Sequence, residues 1–534
     1  SRNRKTQVKM KLSALCVSMA LLAGCSSDSE DETVVEERNG QWLVGDLHVH
    51  SAVSNDARDT MVNILYHAFD EFDIDYVFFS NHMRVRGNDH QDNDIGEVLY
   101  ADRLQQYELP EIRSLQNRYY QDKIITTTFE WDFPGFEHYN IGIIGTPEEQ
   151  DDIIEAVKLF EYKFSNENGL EHFDPQDVAR WTEQGIERYN TEADAAKALT
   201  WLQENYPTTS YGMLNHPRRY ADTYSLADVR DLNNSAPDIF FLMEGMVGGQ
   251  FHPYARGDYE GSSAGLFGGA DPMVAHVGGW WDALLSEGRQ IWNVSNSDYH
   301  FKISDGGEYT SGYFPGEYSK NYAYVTEGED ELAVLEALRS GEMFGVTGEL
   351  INALEFTISA NGQTAYMGQQ DLAVSQGDTV TVDIRFQSPE FTNQEITVGD
   401  GIFGSAINPG VHHVDLIAGS VTGIVDPFSE NYDSTDNSDA SVINSFTEQD
   451  WQLDEEGYYA MSYTFTAEGN QYFRLRGTAL DYNEEGLTVD GEPQKWESMV
   501  KEEDETDHQI QDRANKLIYR DVWFYSNPVY VNVK

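Results

Sequence analysis

His48-Val49-His50 follows a short apolar run at 42–44. Side chains of a strand alternate between its faces, so residues two apart project from the same side and both imidazoles can reach one ion. The same spacing recurs in Asp298-Tyr299-His300, after the apolar run 291–294. A lone His-x-His carries little weight, because surface and packed histidines are common. Recurrence of position carries more. His82 closes the run 77–81, Glu130 closes 124–129, and His216 closes 211–215 just before the strand-ending Pro217. Each residue of ligand type thus stands at the carboxyl end of a buried run, where barrel enzymes assemble their sites. Packed structural histidines have no reason to keep that place repeatedly. Imidazole and carboxylate suit Zn, Mn or Fe(II), and bridging carboxylates can join such ions into a multi-metal centre. Cys16 and Cys25 are the only cysteines, so the body of the chain has nitrogen and oxygen donors alone.

The elements that must hold these residues are legible as a pattern. From Trp42 to about Thr347, apolar runs at 43–44, 76–79, 124–129, 139–144, 211–214, 239–243 and 291–294 alternate with helical-looking stretches such as 60–72 and 194–205. Alternating β and α elements predict a parallel sheet, and seven strands predict a closed barrel over residues 41–348. Acidic stretches at 84–122, 146–210 and 246–288 are expected as loops or added helices. From about Asn352 the pattern changes to alternating strands with Gly, Asn and Asp turns, which predicts an antiparallel β-sandwich over 349–534. The run 426–439 is rich in Asp, Ser and Asn but lacks the glycine and terminal glutamate of a helix-loop-helix calcium loop. It reads as a solvated loop.

Composition narrows the partners. With 35 Lys and Arg against 92 Asp and Glu, the 534-residue chain carries −57, which repels nucleic acid and anionic headgroups. Its 31 Tyr, 26 Phe and 10 Trp are ample for buried cores, so the charge belongs to the surface of a folded protein. At the N-terminus a basic run, Arg2 to Lys11, precedes a 12–23 apolar stretch too short to span a membrane. It ends in Leu22-Ala23-Gly24-Cys25, which resembles the bacterial lipobox. That resemblance implies a signal peptide over 1–24, lipidation of Cys25 and, with Ser26 following, an outer-membrane location. Residues 25–40 read as an acidic tether.

Taken together and in order, Asp46-Leu47-His48-Val49-His50-Ser51, Ser80-Asn81-His82, Asn215-His216-Pro217 and Ser297-Asp298-Tyr299-His300 resemble the polymerase-and-histidinol-phosphatase (PHP) domain. The resemblance covers roughly residues 42–347. It implies a distorted (β/α)7 barrel and two or three divalent ions. By resemblance, His48, His50, Glu130 and Asp298 hold the first ion, and Glu130 bridges to a second held also by His138 and His216. Asp56, His82 and His300 hold the third. Asn81 stands where the family has Asp. Asp56 is preferred to Asn55 because a carboxylate binds metal better than an amide, and His138 precedes its apolar run rather than ending it. The added β-rich part resembles the carbaryl-hydrolase-like branch of the family.

The expected activity is hydrolysis of a phosphomonoester or phosphodiester by a metal-bridging hydroxide held by Glu130 and Asp298. Arg218 and Arg219 are candidates to clamp a phosphate oxygen, Glu244 to orient ligands or substrate, and His252 to protonate a leaving group. Each also has a plain reading as a surface, ion-pair or loop residue. His67, His90, His172, His276, His412, His413 and His508 read as surface or packing residues. Two other functions fit: hydrolysis of a carbamate or carboxylic ester at the same metals, and a non-catalytic cell-surface binding lipoprotein.

Overall fold

Each apolar run marked as a strand does become one. The computed structural model describes residues 38–145, 150–165, 168–248, 251–252, 255–256, 264–301, 313–392, 407–497 and 499–534. The signal segment, Cys25 and most of the acidic tether lie outside them. The first ten strands that matter here are β1 (Gln41–Val49), β2 (Tyr76–Phe79), β3 (Ile124–Thr127), β4 (Phe129–Asp132), β5 (His138–Ile143), β6 (Ser210–Leu214), β7 (Phe240–Met246), β8 (Trp292–Ser295), β9 (Ser319–Val325) and β10 (Met343–Thr347). Between them lie helices α1 (Met61–Leu65), α2 (Tyr100–Arg103), α3 (Leu109–Arg118), α4 (Gln150–Phe164), α5 (Ala195–Asn205), α6 (Leu226–Ser235), α7 (Trp280–Ser286) and α8 (Glu331–Ser340). Two acidic stretches expected as loops or helices thus supply α2 to α5. Among the described residues no helix is long and apolar enough to cross a membrane.

The architecture is mixed α/β, with open sheets in place of one closed ring of parallel strands. In an eleven-stranded mixed sheet β3, β2 and β1 run parallel, then β9 and β10 join antiparallel. A separate five-stranded sheet has the order β8-β7-β6-β5-β4, antiparallel at β4/β5 and β5/β6 and parallel beyond. Two local causes keep the ladders apart. Between β8 and β10 the fully buried amide of Asn527 takes the place of a ladder. Its Oδ1 accepts from Asn293 N at 2.8 Å, and its Nδ2 donates to Asn293 O at 3.0 Å and Met343 O at 3.1 Å. On the other side the run 124–129 breaks at Thr128, and β4 turns to pair with β5. The chain just after β2 still binds β4, through Met83 N to Glu130 O at 2.8 Å and Glu130 N to Asn81 O at 3.1 Å.

The C-terminal half adds β11 (Ala353–Ala360), β12 (Gln363–Tyr366), β13 (Thr379–Gln387), β14 (His413–Ser420), β15 (Ser441–Thr447), β16 (Tyr459–Thr466), β17 (Gln471–Thr478), β18 (Trp523–Ser526) and β19 (Val529–Val533). β11, β13 and β16 form an antiparallel sheet, and in β11 and β13 alternate residues are buried, as a half-solvated strand requires. Leu354, Phe356, Val382 and Ile384 share one core with Leu416, Phe473, Leu475 and Val531. The latter set belongs to the eleven-stranded sheet, because β18 pairs with β10 and continues it into β17, β14 and β19. The run 426–439 is an irregular, largely exposed loop, in line with the solvated loop expected, and it is also strapped down. Buried Arg230 of α6 donates to Ser434 O at 3.1 Å and Asn437 Oδ1 at 3.0 Å while pairing with Glu287 at 2.8 Å. A buried guanidinium needs acceptors on most of its donors, and the strap provides them.

Asn527→Ala should lower the free energy of unfolding by about 2–3 kcal/mol, since three strand groups lose their partner. The midpoint of urea unfolding measures it.

Candidate metal centre

The end of β1 puts His48 and His50 on one face, and Asp46 fixes what lies beside them. Its buried carboxylate accepts from His48 N at 3.0 Å and from Ser297 N at 2.9 Å, while His50 N donates to Tyr299 O at 2.8 Å. The loop carrying Asp298 and His300 is thereby stitched to β1. His48 Nδ1 lies 2.9 Å from Glu244 Oε1, a carboxylate that also accepts from Asn296 Nδ2 at 3.1 Å and His216 N at 3.0 Å. A carboxylate accepts, so His48 is protonated at Nδ1, and Nε2 is the nitrogen left to meet a further proton or a metal ion. That Nε2 faces His50 Nε2 at 3.1 Å, Asp298 Oδ1 at 3.0 Å and Glu130 Oε1 at 3.3 Å.

Glu130 is the hub. It is fully buried, yet its oxygens lie 3.1 Å from His50 Nε2, 3.2 Å from His82 Nδ1, 2.9 Å from His138 Nδ1 and 3.4 Å from His216 Nε2. Asp56 Oδ2 is 3.0 Å from His82 Nε2, and Asp56 Oδ1 is 3.8 Å from His300 Nε2. His50 and His300 stack with ring centroids 4.0 Å apart. The donor atoms gather into groups within 4.8 Å: His48, His50, Glu130 and Asp298; Glu130, His138 and His216; and His50, Asp56, His82 and His300. All nine residues expected as ligands fall into these groups. A fourth group, His82, Asp132 and His138, brings in Asp132, which sequence reading missed. Its signal was available: it stands two residues beyond Glu130 on β4 and so shares that face.

Charge and strain both concentrate here. Burial opposes a charge on His48, but Asp298, Glu244 and Glu130 overcome it and hold the ring well above the ordinary imidazole value. Against a similar burial effect, Glu130 and Glu137 raise His138. Burial, with help from His50, pushes His300 down to about 4. Despite burial, the surrounding imidazoles drive Glu130 and Asp298 well below the carboxylate range. Two ligand-type residues, His216 (φ 26°) and Asp298 (φ 49°), occupy the left-handed region that non-glycine residues avoid. Such strain persists only where the surroundings impose it.

The arrangement fits a cation. Nε2 of His48 and Nε2 of His50 converge with two carboxylates on one place, which repels unless positive charge, an added proton or a metal ion, sits there. His82 Nδ1 is buried without a hydrogen-bond partner, although Glu130 Oε2 is only 3.2 Å away. These His, Asp and Glu groups could hold metal ions, and the donor set suits Zn, Mn or Fe(II).

A cavity of about 570 Å³ opens onto the cluster, lined by Asp56, Arg58, His82, Arg84, Glu130, Glu137, His138, Arg219, Tyr220, Asp298, His300 and Phe301. Arg84 is committed to Asp132 by two 2.6 Å bonds. Arg219 lines the cavity with Glu137 3.9 Å away. Arg218 does not line it; its guanidinium lies 4.3 Å from the centre of the Trp280 ring. Glu244 touches His48 rather than the cavity. His252 lies on a two-residue strand, Phe251–His252, and its side chain is outside the described residues, as is that of His508. His67, His90, His172, His276, His412 and His413 belong to none of the ligand groups.

No protein-family model, curated protein or solved structure matches the chain. The geometry therefore has to speak for the site.

Asp298→Ala should reduce bound metal relative to wild type, because one ion loses a ligand; metal analysis of the two purified proteins measures it. Carboxylate neighbours hold His48 and His138 above the ordinary imidazole value, so a cation must displace their protons. Apparent affinity should accordingly rise as pH is raised above that value, and adding zinc to a weakly buffered metal-free sample should release protons.

Proposed function

We propose that the chain is a metal-dependent hydrolase of the PHP type that acts on phosphate esters. The observation that carries this reading is the sharing of buried Glu130 among five imidazoles at the floor of a cavity lined by Arg219 and Arg58. In this reading the open sheets are a distorted barrel, interrupted where Asn527 stands between β8 and β10 and where the chain breaks between β3 and β4.

Divalent ions held by this donor set would act as Lewis acids and lower the pKa of water towards about 7. The chain's own groups do the rest. Glu130 and Asp298, both kept ionised, hold the positive charge in place and accept protons only at acid pH. His300, pushed down to about 4, is neutral at physiological pH and offers a lone pair rather than a proton. Arg219, on the cavity wall beside Tyr220, is placed to pair with an anionic oxygen of the substrate. Only the floor, His82, Glu130 and Asp298, is buried, and interactions there are the least screened by water.

Presence of all nine ligand-type residues in the groups supports an active enzyme over a binding lipoprotein that has lost its chemistry. The export and lipid-anchor reading at Cys25 rests on the sequence alone.

Metal-loaded protein should hydrolyse an aryl phosphate in preference to an aryl carbamate, and a chelator should abolish turnover. Arg219→Ala should lower kcat/KM for the phosphate about tenfold or more, the loss of one charge-assisted contact. A clear preference for the carbamate would contradict the phosphate reading and leave the metal reading standing.

A further inference from the structure

Asn81 replaces the family's usual Asp just before His82, and the structure shows what the amide can do that a carboxylate cannot. Ser51 N donates to Asn81 Oδ1 at 2.8 Å. A backbone N–H is always a donor, so this bond fixes which end of the amide is oxygen. Asn81 Nδ2 then donates to Glu108 Oε2 at 3.0 Å. Both residues are fully buried. Burial pushes the Glu108 carboxyl up to about 8, and the Asn81 amide gives it a donor that an ionised Asp at 81 would lack.

The fixed amide dictates the polarity of everything beyond it. Ser54 Oγ lies 3.0 Å from Asn81 Oδ1 and has only its hydroxyl proton to offer there. His82 N donates to the same Ser54 Oγ at 3.0 Å. With its proton given to Asn81, Ser54 Oγ can only accept from His50 Nδ1, 3.1 Å away. His50 therefore carries a proton at Nδ1, which leaves Nε2, facing Glu130 and Asp298, as the nitrogen open to a ligand once the ring is neutral.

Glu108 is held by more than Asn81. It closes a π-helical turn, Leu104–Glu108, that joins α2 to α3, an irregularity that often marks a functional position. The same helix is anchored by Glu161, which accepts from Tyr100 N and Ala101 N at 2.9 Å each, and by Tyr100 OH, which donates to Thr128 O at 2.9 Å.

We propose that Asn81 and Glu108 are positioning residues that act through Ser54 to lock His50 in its Nδ1–H tautomer, so that Nε2 is presented to a metal ion. The step from tautomer to metal rests on the proposed metal reading; the tautomer itself does not.

The test uses the full chain with Ser54→Ala, Glu108→Leu and Glu108→Gln, each checked for native circular dichroism. ¹⁵N spectra of the metal-free protein, taken at a pH where imidazole is neutral, report the His50 tautomer, and zinc titration reports affinity. Wild type should show Nδ1–H alone. The amide oxygen introduced by Glu108→Gln can still accept from Asn81, so this variant should keep both the tautomer and the affinity. Glu108→Leu and Ser54→Ala should show mixed tautomers and bind zinc about 10–100-fold more weakly. An unchanged tautomer in Ser54→Ala, or equal losses in the Gln and Leu variants, would overturn the proposal. A wild type with the expected tautomer that binds no zinc would instead sink the metal reading and leave the relay intact.

Discussion

A single buried carboxylate, Glu130, sits within 3.4 Å of ring nitrogens from five histidines. An isolated buried charge costs several kcal/mol, and that cost is recovered only when partners and geometry compensate it. Here the compensation comes from β1, β5, the chain after β2, and the loops after β6 and β8, all converging on β4. The strained backbone at His216 and Asp298 is the conformational cost of that convergence. It follows that the elements around the cluster cannot be described by packing alone; they are held against electrostatic repulsion unless positive charge lies at the centre.

The surroundings are correspondingly stiff. Asp46 ties β1 to the Ser297–His300 stretch, Glu244 ties His48 to the backbone of His216, and the amide of Asn81 ties the first loop to the second. Farther out, the C-terminal half contributes directly to this frame. It supplies β18 to the edge of β10, Asn527 to the gap beside β8, and buried Arg474, which grips Asp282 of α7 with two bonds of 2.8 and 2.7 Å. Bidentate buried pairs of this kind fix relative position more than they add stability. The two halves of the chain are thus parts of one frame, with the acidic charge left to the exterior.

Much of this was legible in the sequence, for a definite reason. Strands buried on both faces leave uninterrupted apolar runs, and ligand residues at their ends inherit fixed positions, so His48, His50, His82, His216, Asp298 and His300 could be placed from spacing. Asp132 was within reach of the same alternation argument. Other features were not legible. β9 and β10 have ordinary strand composition, and nothing local says that they run antiparallel and accept strands from the far end of the chain. Asn527 and Glu108 act across 234 and 27 residues of sequence, where only the folded chain brings their partners. The strap at 426–439 has the composition of a free loop, and its docking depends on a buried arginine some 200 residues away.

In the proposed metal reading, positive charge shared by His48, His50, Glu130 and Asp298 holds this cluster together. Anomalous diffraction from metal-loaded crystals, collected on both sides of the zinc, manganese or iron edge, tests it most directly. An edge-dependent peak is expected about 2.0–2.2 Å from His48 Nε2, His50 Nε2 and a Glu130 oxygen. A well-ordered cluster with no such peak between those atoms would contradict that reading.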